Sequence, residues 1–531
     1  MPDIFATNKY DDKIAVNNGD KRYTYSELKK LIASEIFYIT DKKRNVVITE
    51  ENNFDFIIQF LASIFCKKNI YLISDRKRLN TLDLEYDILD TNTKTDINDY
   101  KFPEINPKEI IINFYTSGSS DKPKNIKKSL YNLICEAEDI GKEFNLKNKN
   151  LTFVSTTTMT HLFGMTFHLM TPLYNGQIIG TKTVSHPEDI EKENTVLVTT
   201  PTFLSAIPKF EVPFKIPPEY IISAGSKLDE KIFEKLEKQS KIIEIYGSTE
   251  TGVIAHKTHY SDDFKLFKNV KLKINADNAE VESEYFYESK IAINDRVELN
   301  NNLLKIKNRT DRLFKIYDKR VNADELEQNL KLCEFVKNCY ILKHSDKLAC
   351  LCALSKSGQE YLLKNNITNL TKKLKQHLNK YSQIIPQKWK YIDQIPMTKS
   401  GKINKDLITG LFDLNLSLPV ILDRQLSENR VIYKIFFYRQ CNFFKGHFDE
   451  FKIVPGVVQL YIAKELANMY FNLSLGQGQI KRIKFSNIIE QDCIVNLKLE
   501  HNEKQVYYEY YSDNEKYASG TFLCENIFKG V

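Results

Sequence analysis

The chain has 531 residues, 76 of them basic and 69 acidic, for a formal net charge of +7. That length suits three or four domains at about 150 residues each, and a composition of 42% hydrophobic and 27% charged residues excludes a disordered chain. The positive excess is spread thinly, so it reads as lysine-rich solvated faces rather than a nucleic-acid interface, although a mild positive field suits anionic ligands.

The N-terminus has no basic stretch followed by an apolar one, so no signal peptide is expected. Residues 25–39 place Leu28, Leu31, Ile32 and Ile36 at helical spacing. Residues 46–49 read as a short strand, 55–66 as a buried helix and 69–73 as a strand. The apolar run 56–65 inside that helix is far short of the roughly 20 residues that cross a membrane, so no transmembrane span is expected. Strand-like runs continue at 110–115, 152–155, 195–199, 220–223 and 242–246. This βαβ rhythm predicts an α/β domain with a parallel sheet covered by helices. Near residue 309 the style changes. Asn300, Asn301 and Asn302 read as a hairpin turn between strands 296–299 and 303–307. A smaller α+β unit follows: helix 323–332, strands 339–342 and 348–355, helix 371–378 and strand 389–392. Cys350 and Cys352 alternate along a strand, and none of the nine cysteines forms a CxxC pair. That pattern fits core thiols in a reducing, cytoplasmic setting. Residues 414–430 read as a linker. Strands near 431–438, 481–486, 492–500, 504–511 and 517–523 then surround one apolar helix, 455–471. The expected divisions are 1–308, 309–413, the linker 414–430, and 431–531.

Glycine is scarce, with 18 residues, about half the usual ~7%. Several of these glycines fall in polar clusters directly after strands. The first cluster runs Thr116, Ser117, Gly118, Ser119, Ser120, Asp121, Lys122, Pro123, Lys124. A loop of small hydroxyl residues around a glycine can present N–H groups and hydroxyls to phosphate, with lysine adding charge; it is not a Walker A loop. The second cluster is Gly225, Ser226, Lys227 and Leu228, and the third is Tyr246, Gly247, Ser248, Thr249, Glu250, Thr251 and Gly252. There Tyr246 offers a ring to a base, Thr249 a hydroxyl, and Glu250 a carboxylate suited to Mg²⁺ near phosphates. Asp295, Arg309, Asp311 and a terminal run Thr398, Lys399, Ser400, Gly401, Lys402 complete the set.

These motifs, in this order, resemble the AMP-forming, adenylate-forming acyl-CoA synthetase family, over about three quarters of the chain. The resemblance implies a large N-terminal domain and a small lid hinged on it, with ATP and Mg²⁺ as cofactors. It implies that Thr116, Ser117, Gly118, Ser119, Ser120 and Lys124 grip the β- and γ-phosphates of ATP. Gly225, Ser226, Tyr246 and Gly247 are similar to the adenine site. Asp295, helped by Arg309, resembles the ribose-binding group. Thr249 resembles the threonine near the α-phosphate, Glu250 the Mg²⁺ ligand, and His161 the residue beside the acyl pocket. Asp311 matches the hinge, and Lys402 the lid lysine of the adenylation step. Three places depart from the pattern: Ser120-Asp121 replaces Thr-Gly, Asp318 replaces a lid glycine, and Asn294 precedes Asp295 where Thr-Gly is common.

A second constellation lies in the last 110 or so residues. Gly446, His447 and Phe448 precede Pro455, Gly456 and Val457 at the start of the apolar helix. A helix N-terminus with glycine can approach a thioester carbonyl, and a histidine beside it can take the proton α to that carbonyl. This resembles the hotdog-fold 3-hydroxyacyl carrier-protein dehydratases, and most of all the small ones of aryl-polyene gene clusters. The helix carboxylate expected fourteen residues after the histidine is Tyr461 here; Asp449 and Glu450 are nearby in sequence.

The expectation is therefore an α/β adenylation domain, an α+β lid and an α+β hotdog domain. It would activate a carboxylic acid as an acyl-adenylate and pass it to a thiol, either coenzyme A or the phosphopantetheine of an acyl carrier protein. The hotdog domain would act on 3-hydroxyacyl thioesters as a homodimer. The competing expectation is a nucleotide-binding fold without turnover and a hotdog that only dimerises. An aryl acid and a medium-chain fatty acid are equally defensible substrates.

Overall fold

The computed structural model describes residues 10–49, 52–73, 79, 82, 84–89, 100–116, 124–147, 149–207, 214–275, 278–309, 312–316, 319–397, 403–413, 417–427, 429–444, 452–471, 473, 475, 480–502 and 504–524. It divides into two compact units, with the chain passing from the first to the second between Lys307 and Asn308.

The first unit is α/β, built on two mixed sheets and a small antiparallel one, Val270–Asn275, Asn278–Ser283 and Ile291–Ile293, rather than on one parallel sheet as the rhythm predicts. In the five-stranded sheet, Asp87–Ile88, Asn45–Ile48, Asn69–Leu72 and Ile111–Thr116 run parallel, and Lys124–Ser129 returns antiparallel. In the eleven-stranded sheet the parallel centre is Ile178–Thr183, Thr152–Ser155, Thr195–Thr199, Tyr220–Ser223 and Lys241–Ser248. Beyond it, Gly252–Lys257, Phe264–Leu266, Leu303–Arg309 and Asp295–Asn300 extend one edge. Hydrophobic periodicity marks strands but does not say which strands share a sheet, because pairing is long-range.

Local chemistry accounts for the helices. Tyr25–Thr40 starts on a capping box: the Glu27 N–H donates to Thr24 Oγ1 (3.2 Å) and the Thr24 N–H to Glu27 Oε2 (2.8 Å). Asn53–Phe65 is buried along nearly its whole length, which explains an apolar run too short to span a bilayer. Leu130–Glu143 begins on Ser129, whose hydroxyl accepts from the Asn132 N–H at 3.2 Å. It presents Leu133, Glu136, Ala137 and Ile140 to the interior.

The second unit contains the hairpin Leu313–Ile316 and Lys319–Asn322, a three-stranded sheet and a six-stranded sheet. Arg312 anchors the hairpin to the helix Ala323–Lys331. Its Nε donates to Asp324 Oδ1 (2.8 Å), its Nη1 to the Ile341 carbonyl (2.6 Å), and its Nη2 to Glu327. The helix Lys356–Asn365, not expected from sequence, precedes Ile367–Leu378. Cys350 and Cys352 are buried on Lys347–Leu354, and burial raises both thiols well above their ordinary range.

The six-stranded sheet runs Val420–Ser427, Arg430–Phe437, Cys493–Asn502, Gln505–Tyr511, Lys516–Leu523, Ile480–Phe485. One face packs on the helix Gly456–Phe471 through Val458, Ile462, Ala463 and Leu466. The span 414–430, expected as a linker, thus supplies an edge strand. Only Val420, Ile421 and Leu422 of that strand are buried, so its polar second half disguises it. One buried cluster joins Tyr340, Leu351 and Ile392 of the smaller sheet to Val431 and Tyr433 of the larger and Ile462 of the helix. Arg424 Nε donates to Asp393 Oδ2 across the same junction, at 2.7 Å.

Candidate functional site

In the first unit the parallel strands Thr195–Thr199, Tyr220–Ser223 and Lys241–Ser248 end side by side. Ligands in open α/β sheets gather outside such carboxyl ends. Gly225 follows the middle strand with φ +103, a conformation that favours glycine, and Gly225 and Ser226 are exposed there. Tyr246 and Gly247 belong to the third strand, and Thr249 and Glu250 form the turn that returns as Gly252–Lys257.

Two contacts join motifs far apart in sequence. The Tyr246 hydroxyl donates to Asp295 Oδ2 at 2.7 Å, tying the expected adenine and ribose positions together through the phenol. The Lys124 ammonium donates to Glu250 Oε1 at 3.4 Å. Thr116 and Lys124 are opposite partners in the register of Ile111–Thr116 and Lys124–Ser129, so the expected phosphate loop springs from that pair. Burial works to raise the Glu250 carboxyl, but its own backbone N–H, Lys124 and Ser248 outweigh it and hold the group below its ordinary value. An ionised single carboxylate fits Mg²⁺, which takes one or two carboxylates and completes its shell with phosphate and water oxygens.

His161 lies exposed at the start of a short helix, Leu162–Gly164, which runs into the π-helical turn Met165–Met170. Gly164 is pressed on the chain: a methyl there would stand 2.2 Å from the Thr158 carbonyl oxygen. Arg309 ends the strand Leu303–Arg309. Ser117, Gly118, Ser119, Ser120, Asp311 and Lys402 lie outside the described residues.

Sequence reasoning missed two charged groups beneath the site. Lys128 and Glu136 are both buried. Lys128 Nζ donates to the Tyr285 carbonyl at 2.6 Å, and burial draws its pKa down to about 8 against the pull of Glu136 and Glu250. Glu136 accepts from the Val253 N–H (2.7 Å) and Thr166 Oγ1 (2.9 Å). Burial nevertheless raises its pKa. A signal was available: Lys128 shares the strand phase of buried Ile126, and Glu136 the helix face of Leu133 and Ile140.

Gly252 sits against both groups with φ +71, and a methyl on it would stand 2.4 Å from Glu136 Oε1 and 3.4 Å from Lys128 Nζ. Gly252→Ala is therefore expected to destabilise the first unit by more than the ~1 kcal/mol of a left-handed backbone alone. A melting temperature equal to that of the wild type would contradict this packing.

In the second unit Gly456 opens the helix Gly456–Phe471, and a methyl there would meet the Phe485 ring at 2.6 Å. Tyr461 is half-buried on that helix; burial, and then Glu465, raise its phenol pKa. His447, with Asp449 and Glu450, lies outside the described residues.

Residues 66–280 match the AMP-binding enzyme family, and residues 423–521 match the ApeI-like family, described as ApeI dehydratase. The chain carries an AMP-binding enzyme domain followed by an ApeI-like domain. The chain is similar to the D-alanine–D-alanyl carrier protein ligase of Bacillus cytotoxicus, 31% identical over 111 residues. That stretch is 20% of this chain and 22% of the relative, so the match spans about a fifth of the relative's length. The fold is that of ATP-bound MatB from Rhodopseudomonas palustris, with a TM-score of 0.64 at 14% identity, covering 78% of this chain and 99% of that one. It is likewise that of the AMP-bound O-succinylbenzoate coenzyme A synthetase of Bacillus subtilis, with a TM-score of 0.61 at 17% identity, covering 76% and 98%. Among the described residues no helix is long and apolar enough to cross a membrane.

Proposed function

We propose that the AMP-binding domain activates a carboxylic acid with ATP and passes the acyl group to a thiol, and that the ApeI-like domain dehydrates 3-hydroxyacyl thioesters. The observation that carries the first part is the meeting of Lys124 with Glu250, and of Tyr246 with Asp295, outside the ends of parallel strands. In this reading Thr116, Ser117, Gly118, Ser119, Ser120 and Lys124 hold the β- and γ-phosphates. Gly225, Ser226, Tyr246 and Gly247 line the adenine site, and Asp295 with Arg309 holds the ribose. Glu250 holds Mg²⁺, whose chemistry is to neutralise phosphate charge.

The substrate carboxylate attacks the α-phosphorus, a P–O bond forms, and pyrophosphate leaves with the electrons of the broken bond. Thr249 and Lys402 face the charge that gathers on the phosphoryl oxygens. Asp311 is the hinge between half-reactions. His161 borders the acyl group. A thiolate then attacks the carbonyl carbon and AMP leaves. Carrier-protein phosphopantetheine is the preferred acceptor, because the relative is a carrier protein ligase and the fused domain is ApeI-like. Coenzyme A is the alternative.

In the ApeI-like domain His447 takes the Cα proton while the Gly456 N–H holds the thioester carbonyl; as the double bond forms the C–O bond breaks, and Tyr461 or Glu450 gives the 3-hydroxyl the proton with which it leaves as water. The domain works as a homodimer. The edge strand Ile480–Phe485 supports this, being exposed throughout with Ile480, Ile483 and Phe485 open to solvent. An exposed apolar edge strand invites pairing with a second chain.

ATP–pyrophosphate exchange across a panel of aryl and fatty acids, with and without carrier protein, tests the ligase reading. Absence of exchange with every acid tested, in protein that still binds ATP, would refute it in favour of a nucleotide-binding fold without turnover. Glu250→Gln keeps the side chain's size and removes its charge, so the Mg²⁺ concentration for half-maximal exchange should rise about 10-fold or more. An unchanged Mg²⁺ dependence would remove Glu250 from this role.

A further inference from the structure

We infer that Lys128 and Glu136 form a buried clamp that positions the turn carrying Thr249 and Glu250, making them positioning residues for adenylation; the inference rests on the ligase reading above.

The clamp is built from two neighbouring elements. Lys124 and Lys128 lie on one face of the strand Lys124–Ser129, four residues apart. Both address Glu250. Lys124 donates to its carboxylate at 3.4 Å, and Lys128 Nζ stands 3.5 Å from its carbonyl oxygen. Lys128 donates its short bond, 2.6 Å, to the Tyr285 carbonyl, so its ammonium bridges the catalytic turn and the segment after the strand Asn278–Ser283.

The helix Leu130–Glu143 secures both sides of that bridge. Glu136 accepts the Val253 N–H, at the root of the turn. Asn132 Nδ2 donates to the Glu284 and Phe286 carbonyls (2.7 and 3.2 Å), and the Tyr285 hydroxyl donates to Asp139 Oδ2 (2.5 Å). Gly252 leaves room for the two charged ends to meet the backbone.

Lys128 and Glu136 are buried charges that attract one another, and charges buried in this way add little to stability over well-packed apolar groups of similar size. Their placement matters here because it connects the strand leaving the phosphate loop with the carboxylate turn through backbone atoms. Groups that orient a ligating side chain typically change metal affinity 10- to 100-fold when removed.

Single substitutions would leave one buried charge without its partner and could unfold the unit. The informative variant is therefore Lys128→Met with Glu136→Gln, which removes both charges and keeps an acceptor for the Val253 N–H. Three measurements on the full chain decide the matter: thermal stability, hydrogen exchange of the apo protein, and calorimetric ATP binding over a range of MgCl₂. The double variant should stay folded. Amides of residues 248–253 should exchange about 10-fold faster or more, while those of 195–199 and 220–223 hold. The Mg²⁺ midpoint for ATP binding should rise about 10-fold. In a Glu250→Gln background the same double change should add nothing to that midpoint, because the clamp acts only through Glu250.

Unchanged exchange at 248–253 would overturn the clamp. Faster exchange with an unmoved Mg²⁺ midpoint, or full additivity with Glu250→Gln, would overturn the positioning role and leave a merely structural one. Wild-type protein that fails to bind ATP would overturn the ligase reading and the positioning role together, with exchange alone then deciding whether the clamp exists.

Discussion

Lys402→Ala is expected to lower acyl-adenylate formation by about 100-fold or more, the scale of losing one group that faces charge developing in a transition state. Transfer of acyl from preformed acyl-adenylate to a thiol should fall far less. The asymmetry follows from the two half-reactions. Charge accumulates on phosphoryl oxygens only when carboxylate attacks ATP, and a lid lysine serves that step alone if the lid turns about Asp311 before thiol attack. The two steps are measured separately, by pyrophosphate exchange and by thioester formation from synthetic acyl-adenylate. Equal losses in both would remove Lys402 from this role. Lys402→Arg, which keeps charge but changes its geometry, should recover part of the exchange if charge is what matters.

His447→Ala is expected to abolish most conversion of a 3-hydroxyacyl carrier protein to its 2-enoyl form, with a loss of about 100-fold or more for a removed general base. A neutral imidazole, with an ordinary pKa near 6.5, is available as a base at pH 7. Tyr461 stands where a carboxylate is expected as the partner acid. Burial and Glu465 raise the Tyr461 phenol, so it keeps its proton at neutral pH and can donate it to a leaving hydroxyl. It is a weaker acid than a carboxyl group, and slow turnover is the expected wild-type behaviour. Tyr461→Phe should slow the reaction further without changing the mass in solution. A wild type without turnover, or a His447→Ala variant equal to it, would reduce the domain to a thioester-binding or dimerising module.

Much of the architecture was legible without coordinates. Strands 152–155, 195–199 and 220–223 match their expected ends residue for residue. The reason is physical: each is a short run of β-branched or apolar residues bounded by polar turns, and nothing beyond the run is needed to read it. The turn at Asn301 was equally local, and its φ of +54 is one that asparagine tolerates. The glycine-bearing clusters could be read as a nucleotide site because each combines residue types that phosphate or base recognition requires at strand ends.

Other features depended on pairing across the chain. The rhythm of strands and helices did not reveal that residues 45–129 build a sheet of their own, since partner choice is a long-range event. The strand Val420–Ser427 was hidden because an edge strand buries few of its side chains, so its polar half looks like a linker. The ribose candidate Asp295 was readable as a residue, but its bond to Tyr246, 49 positions earlier, was not. Lys128 and Glu136 show the same division most clearly. As letters they belong to the charged quarter of an ordinary composition. Only packing strips water from both and turns them toward the backbone of the Glu250 turn, because burial is a property of what surrounds a side chain and no local pattern states it.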